Sequence, residues 1–311
     1  MGVIFILMEK KMFFTNAIVY KFKGKMEFFE DGFQAALQQD KFKPCGAQQL
    51  STFGWANALG KHGKELAHFS GSSILICARN EEKILPPAVV NEMLAAKVEQ
   101  IELEEARPVL RKEKNELKEN IIHTLLPQAF VKSSYTHAFI DIEAGLIVVN
   151  AASFNKAEQL LAMLRKSLGS LPVVPFFGNY DLDLFLTTWL KDFKAPEFFE
   201  IGSDAVLVEP DDNAATVKVT HHELNCDEVK AHLESAKRVT SLHLKFNDRI
   251  AFNLNNDGAI KKIGYSDLLK EENADIPKEE MPVKLDADFI LISSELVELI
   301  ASIEIALQGA E

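Results

Sequence analysis

Residues 164–175, LRKSLGSLPVVP, place the end of a helix and the start of a strand in one short segment. The apolar residues leading into this segment recur at helical spacing: Leu160, Leu161, Leu164 and Leu168. Arg165 and Lys166 suit the negative end of a helix dipole, and Gly169 can adopt the left-handed conformation that ends a helix. The apolar run 171–175 is too short for a helix and lies between prolines, so it predicts a strand. A chain built from such junctions belongs to a mixed class of helices and strands.

Residues 88–126 have a different character, because they contain almost no strand signals. Their apolar residues recur every three or four positions, which indicates helix, and Pro108 divides the stretch in two. Polar residues outnumber apolar ones here. We therefore predict a helical hairpin that protrudes as an arm.

The second half of the chain reads as an antiparallel meander. Residues 239–246, 249–254 and 259–265 are strand-like, and residues 255–258, NNDG, supply the positive-φ residues of a hairpin turn. A further strand is predicted at residues 289–292, before a closing helix. The predicted class is α+β, with mixed and antiparallel sheets, packed helices and the protruding arm.

Charge is distributed unevenly along the chain, whose formal net charge is −12. Residues 1–170 carry 21 Lys+Arg and 19 Asp+Glu, a net charge of +2, whereas residues 171–311 carry 13 and 27, a net charge of −14. Attraction to phosphate requires a local cationic patch, so the total charge neither establishes nor excludes a nucleic-acid partner.

The cysteines and the N-terminal apolar run indicate location. Cys45, Cys77 and Cys226 are an odd number without metal-ligand spacing, which favours a reduced, cytoplasmic protein. The apolar run at residues 3–8 is far shorter than a membrane span, and it lacks the basic segment and cleavage site of a secretory signal. No membrane partner is expected.

The string LRKSLGSLPVVP resembles the family of the recombination-associated protein RdgC, which binds DNA in bacteria. Further segments follow in the family's order: KPCG at 43–46, FGW with Trp55, ILICARNEEKILP at 74–86, HTLLPQAF at 123–130 and DADFIL at 286–291. The matches run from about residue 12 to residue 309, which makes residues 1–11 an extension. With the hairpin, the resemblance divides the rest into a central α+β domain (12–87 and 133–176), the helical arm (88–132) and an acidic α+β domain (177–311).

The resemblance implies a nucleoid-associated homodimer closed into a ring, with double-stranded DNA passing through a hole lined by basic residues. Binding would be largely independent of sequence and could extend to single-stranded DNA. By limiting access of the RecA recombinase to DNA, it would restrain recombination and influence the processing of replication forks. No cofactor or metal is implied, and no enzymatic activity.

The expected DNA-contacting residues lie mainly in the arm. Arg111, Lys114 and Lys118 share one face of the helix after Pro108, and cations spaced by about one turn can contact successive phosphates. Arg107 and Lys112 flank this stripe, and Lys132 follows beyond Phe130. Spacing alone favours an ordinary solvated helix, because glutamates are interleaved with the cations. The resemblance reverses this preference, since it places the region on the DNA-facing surface.

Phe130 could stack on a base or wedge into a duplex, although a phenylalanine at such a junction more often packs in a core. The resemblance marks it as functional and leaves its role open between wedge, interface anchor and packing residue. The family often has arginine where this chain has Gln128, which weakens the basic surface. The resemblance also places His221 and His222 near the DNA path; as neighbours on a strand they would chelate a metal poorly.

Two other functions compete with DNA binding. Asp286 and Asp288 would share a face at the start of the predicted strand, which is compatible with a metal-dependent nuclease or phosphoesterase. The sequence lacks a third partner at a recognisable spacing, so a structural role is the simpler interpretation. A dimeric protein-interaction scaffold without a nucleic-acid role is the other alternative.

Overall fold

The computed structural model describes residues 13–25, 28–210 and 215–309. The predicted extension at residues 1–11 lies outside these ranges. The chain forms two compact units: a large unit within residues 1–39, 57–77 and 136–311, and a small unit of residues 40–56 and 78–135. The four-part division stays a prediction.

Twelve strands occur in the described residues: β1 Asn16–Phe22, β2 Ser51–Ala56, β3 Ala67–Ser70, β4 Ser73–Ile84, β5 Phe130–Asp141, β6 Leu146–Val149, β7 Val173–Pro175, β8 Phe199–Val208, β9 Thr216–Val219, β10 Arg238–Phe246, β11 Ile250–Asn255 and β12 Ile260–Tyr265. The α-helices in those residues are α1 Glu30–Gln39, α2 Pro87–Glu105, α3 Arg111–Leu125, α4 Phe154–Leu168, α5 Leu182–Asp192, α6 Asp227–Glu234, α7 Asp267–Glu271 and α8 Met281–Gln308. Short 3-10 helices cover Gly60–His62, Leu126–Gln128 and Lys278–Glu280. Among these helices, none is long and apolar enough to cross a membrane.

The large unit is built around a sheet whose strands follow the order β5-β6-β1-β12-β11-β10-β8-β9. Strand β1 joins its two halves, because Ile18 pairs with Val149 of β6 and Ala17 pairs with Ile260 of β12. The pairings along this path are antiparallel. The predicted mixed α+β class with antiparallel sheets is therefore confirmed.

Alternation along the strands of the meander places apolar side chains on one face, where they form the core of the large unit. On β10 the buried residues are Leu242, Leu244 and Phe246, and helices α5 and α8 cover them with residues such as Leu186 and Leu296. The polar residues between them turn to the opposite face. Burial of this continuous apolar cluster is the main source of stability in the unit.

The junction at residues 164–175 has the predicted form. Helix α4 ends at Gly169, whose φ is 79°, and β7 then pairs with β1. The predicted hairpin turn is also confirmed: Gly258 has a φ of 81°, and its N–H donates to the carbonyl oxygen of Asn255 over 2.9 Å. Local turn chemistry decided both features.

The predicted strand at residues 289–292 is wrong, because these residues lie inside the continuous helix α8. Phe289, Ile292 and Leu296 recur at helical spacing and are buried in the core, and this packing outweighs the local strand preference of the run FILI. A proline in the first turn is compatible with the start of this helix.

The helical hairpin predicted around Pro108 is confirmed within the small unit. Helix α2 ends at Ala106, which adopts a left-handed φ of 48°, and α2 packs against α3. Val90, Val109 and Ile121 are buried, whereas most of the other side chains of α2 and α3 face solvent. The pair therefore has one narrow apolar contact and a large polar surface.

Candidate nucleic-acid interface

Three of the sequence motifs meet in the small unit at two charged side chains of β4. The buried ammonium of Lys83 donates to the carbonyl oxygens of Ala47, which follows the KPCG motif, and of Leu126, in the HTLLPQAF motif. The buried carboxylate of Glu81 accepts from the backbone N–H of Cys45 over 3.0 Å. A buried charge persists only when it is well hydrogen-bonded, and these bonds fix the two loops against the strand.

Arg79 lies on the same face of β4 as Glu81 and Lys83. Its guanidinium stacks over the ring of Phe42, 4.3 Å from the ring centre, and donates to Glu81 over 2.9 Å and to Ser133 of β5 over 3.1 Å. These contacts place Ser133 on the Arg79 face of the small unit's strands. The sequence alone does not reveal this group, because its members become neighbours only in the folded chain.

The predicted cationic stripe lies on α3 as expected from its spacing. Arg111, Lys114 and Lys118 are exposed, and they fall within about 60° around the helix axis. Within the described parts of the chain, no salt bridge engages any of these three side chains. Lys112 lies off the stripe, where its ammonium is 4.0 Å from Glu116. The three unpaired cations form a row directed at solvent.

Arg107 is in a different situation from the stripe. Its Nε donates to Glu105 over 2.7 Å, and its terminal nitrogens donate to both oxygens of Glu113 at 2.9 and 3.0 Å. Hydrogen bonding to Glu113 and Glu105 raises the pKa of Arg107, and the same bond lowers the pKa of Glu113. The guanidinium therefore fastens the connection between α2 and α3, and its charge is offset locally.

Phe130 is the first residue of β5, and 85% of its surface is exposed. Side chains alternate along a strand, so Phe130 and Lys132 lie on the face opposite Ser133. Lys132 is also exposed. A core-packing role for Phe130 does not fit this exposure, whereas an aromatic ring next to a cation can stack on a base or enter a partner surface.

His221 and His222 belong to the large unit, while the other predicted contacts belong to the small unit. They do not lie on a strand: β9 ends at Val219, and His221 has a left-handed φ of 52°. The backbone N–H of His221 donates to Asp204 over 2.9 Å, and Nδ1 of His222 lies 2.7 Å from the carbonyl oxygen of Glu223, to which it donates. Both side chains are exposed in this loop.

Asp286 and Asp288 do not form a carboxylate pair. Because they lie on α8 and not on a strand, two residues of separation direct them to different sides of the helix. Asp286 is 2.7 Å from Nε2 of His68, and Asp288 accepts from Asn273 over 3.0 Å. Among the described residues, no group of three or more His, Cys, Asp or Glu side chains could hold a metal ion. The predicted shared face for a metal is therefore wrong.

Comparison with known proteins identifies the class to which this fold belongs. A family model described as "Putative exonuclease, RdgC" matches residues 12–310. The chain therefore belongs to the RdgC family, and the resemblance drawn from the motifs is confirmed.

Several named relatives match over nearly their full length. The chain is 62% identical to the recombination-associated protein RdgC of Pseudoalteromonas translucida over 289 residues, which cover 93% of this chain and 95% of the relative. It is 42% identical to the protein of the same name from Aeromonas hydrophila over 300 residues, or 96% of this chain and 99% of that relative. The chain is thus a recombination-associated protein by family.

Proposed function

We propose that this chain is a non-enzymatic DNA-binding protein that contacts the phosphate backbone of double-stranded DNA without reading its sequence. The observation that carries the proposal is the row of unpaired cations on α3: Arg111, Lys114 and Lys118. Each cation that neutralises a phosphate releases condensed counterions, which makes binding favourable and dependent on salt. Contacts of this kind position DNA but carry no base information.

We propose that Phe130 and Lys132, exposed on β5, add to these contacts. A base has an aromatic face whatever its identity, so stacking on Phe130 would add affinity without adding sequence preference. The same contact would serve single-stranded DNA as well as a distorted duplex. We assign His221 and His222 a weaker role, as hydrogen-bond donors beside the DNA.

Membership of the RdgC family supports a proposal for the biological role. We propose that two copies of the chain close into a ring around DNA on the cytoplasmic nucleoid and restrain RecA-dependent recombination and fork processing by limiting access to the duplex. The uneven charge supports this arrangement: a near-neutral first half can carry the contact surface, while the excess of acidic residues in the second half discourages attachment elsewhere.

The test compares the stripe variant R111Q/K114Q/K118Q with the control variant K191Q/K194Q/K230Q, which removes the same charge from exposed lysines of the large unit. Affinity for a fluorescent duplex is measured by anisotropy over a range of salt concentrations. We expect the stripe variant to bind at least about tenfold more weakly, with the slope of log K against log salt smaller by about 0.9 for each phosphate that is no longer neutralised. The control should behave as wild type.

Three results would overturn the proposal. Wild-type affinity that does not change with salt would exclude phosphate contacts as the source of binding. A stable dimer that gives no complex with DNA at low salt would indicate a protein-interaction scaffold. Degradation of labelled DNA in the presence of Mg²⁺ or Mn²⁺ would make the chain an enzyme.

A further inference from the structure

The last residues of strand β4 have an inverted burial pattern. Glu81 and Lys83 are buried, with 6% and 8% of their surface exposed, whereas Ile84 is 47% exposed. Side chains alternate along a strand, so the charged residues point inward and the isoleucine points outward. Inner positions normally hold apolar residues, and burying a charge costs free energy unless the charge is paired or hydrogen-bonded. The buried lysine therefore indicates a role that an apolar residue could not fill.

Lys83 bonds to backbone groups of two other segments. Its ammonium donates to the carbonyl oxygen of Leu126 over 2.7 Å and to that of Ala47, and its backbone N–H donates to the carbonyl oxygen of Leu50 over 2.8 Å. Among the described residues, no carboxylate forms a salt bridge with this ammonium. A carbonyl oxygen belongs to the main chain, so a bond to it fixes the course of the chain itself. The bonds of Lys83 therefore define where two distant segments run.

The peptide group of Leu126 joins the end of α3 to the start of β5. Its N–H donates to the carbonyl oxygen of Ile122 in the last turn of α3. Its carbonyl oxygen accepts from the backbone N–H of Ala129 over 3.3 Å, which closes the 3-10 turn before β5. An ammonium at this place also suits the negative end of the α3 dipole. Lys83 therefore secures both the last turn of α3 and the turn that leads into Phe130.

The position of the Phe130 ring depends on its backbone. The ring is exposed, and within the described parts of the chain no aromatic or cation–π contact engages it. The next two residues, Val131 and Lys132, are exposed as well. An exposed side chain at the start of a strand takes its direction from the main chain that carries it. Residues 126–129 therefore set the direction of the ring, and Lys83 holds these residues.

We infer that Lys83 is a positioning residue for Phe130: without contacting DNA, its buried ammonium holds the turn that places the ring for stacking on a base. This inference rests on the proposed DNA binding and deepens it, because it assigns a part in binding to a residue outside the contact surface. The same ammonium bonds to Ala47, so it also ties the position of Phe130 to the loop that contains the KPCG motif.

The experiment compares wild type, K83M, F130A and the double variant K83M/F130A in anisotropy titrations with a labelled single-stranded oligonucleotide. We expect K83M to bind about fivefold more weakly, which is part of the contribution of one stacked base. In the F130A background, K83M should have little further effect, since Lys83 acts through the ring. The salt slope of K83M should equal that of wild type, because a positioning residue neutralises no phosphate.

The matched control is K237M. Lys237 is a buried lysine of the large unit, and its ammonium bonds to Glu209 over 2.9 Å and to Ser235 over 3.2 Å. This variant loses a comparable donor in the other unit, so it should bind the oligonucleotide as wild type does. Circular dichroism verifies that each variant is folded, and titrations are run well below every thermal midpoint. Should K83M be unstable, K83Q gives the same decision, because it also lacks the charged donor.

Comparison with F130A separates this inference from the proposed function. If F130A binds more weakly but K83M matches K237M, the positioning role is refuted and the proposed DNA contact stands. If K83M lowers affinity equally with and without the phenylalanine ring, or lowers the salt slope, Lys83 acts by another route and the inference is refuted. If wild type does not bind DNA, the proposed function fails and the inference fails with it.

Discussion

The ammonium of Lys83 donates a buried hydrogen bond to the carbonyl oxygen of Leu126 over 2.7 Å. Leu126 begins the 3-10 turn that follows α3, and Phe130 begins β5 just after this turn. The bond therefore connects β4 to the segment that carries the exposed phenylalanine. Lys83 also bonds to Ala47, so one side chain fixes two loops.

Lys83→Met should lower the free energy of unfolding by about 2 kcal/mol, because the buried carbonyl oxygen of Leu126 and the partly buried carbonyl oxygen of Ala47 lose a charged donor. Trp55 lies in the small unit and Trp189 in the large unit, and they are the chain's two tryptophans. In a Trp189→Phe background, urea unfolding followed by fluorescence reports on the small unit. Lys97→Met, at an exposed position of α2, is the matched control and should have little effect. Equal midpoints for the two variants would contradict the role of Lys83.

Gly54→Ala should destabilise the small unit by about 1–3 kcal/mol, since the added methyl group overpacks a close contact. A Cβ at Gly54 would lie 2.5 Å from Cα and 2.7 Å from the backbone nitrogen of Phe42. Phe42 and Trp55 share a backbone hydrogen bond at this point, so the displacement also affects the segment under Arg79. Gly24→Ala is the control, because nothing lies within 4 Å of its Cβ. Thermal unfolding measures both, and a Gly54→Ala variant as stable as wild type would exclude the predicted clash.

Phe130→Ala should leave the stability of the protein unchanged, because the wild-type side chain is mostly exposed. If the ring stacks on a base, affinity for single-stranded DNA should fall by the equivalent of about 1–3 kcal/mol. Phe130→Trp should retain binding, since it keeps an aromatic face. Anisotropy titrations with a labelled oligonucleotide compare the three proteins. Unchanged affinity for the alanine variant would remove Phe130 from the site.

Arg107→Gln should reduce DNA affinity less than Lys114→Gln does, because two carboxylates already offset the charge of Arg107. Its main effect should be faster amide exchange around residues 105–110, where the guanidinium fastens the hairpin connection. Hydrogen-exchange mass spectrometry measures this change, and salt-dependent titrations measure affinity. If Arg107→Gln reduces the salt slope as much as Lys114→Gln, then Arg107 contacts phosphate after all.

The imidazole of His243 should make the protein less stable in mild acid. Burial lowers its pKa from the ordinary value of 6.5, and Lys245, Lys262 and His221 act in the same direction, while Asp204 opposes them. The unfolded chain therefore takes up a proton at a higher pH than the folded chain does. The stability that the neutral imidazole contributes is complete above pH 6.5 and is lost as the pH falls below it. Urea unfolding under neutral and mildly acidic conditions should show a smaller pH effect for His243→Gln. An identical pH effect in both proteins would exclude His243 as a source.

The helices and turns that local patterns predicted share a common property: their decisive residues lie close together in the sequence. Gly169, Pro108 and Gly258 each set the backbone where they stand, and the spacing of Arg111, Lys114 and Lys118 fixes their shared face once a helix forms. Such features depend on torsion angles and on neighbours within one or two turns. The order of the motifs along the chain likewise indicates the RdgC family without any tertiary structure.

Predictions failed where local preference and tertiary packing disagreed. The run FILI at residues 289–292 suits a strand, yet burial of Phe289 and Ile292 against the sheet makes it helical, and this separates Asp286 from Asp288. The engagement of Arg107 by Glu113 was also missed, although their separation of six residues was a usable signal once the hairpin was expected.

By itself, the sequence determined the class of fold, the helical hairpin, the cationic stripe on α3 and the family. The tertiary structure decided that Lys83 joins a segment about 40 residues before it to a segment about 40 residues after it. It also decided that polar residues of three strands form a single face. The physical reason is the range of the interactions. Backbone torsions and helical spacing act between near neighbours, whereas buried hydrogen bonds and strand register become defined only when distant segments exclude water between them.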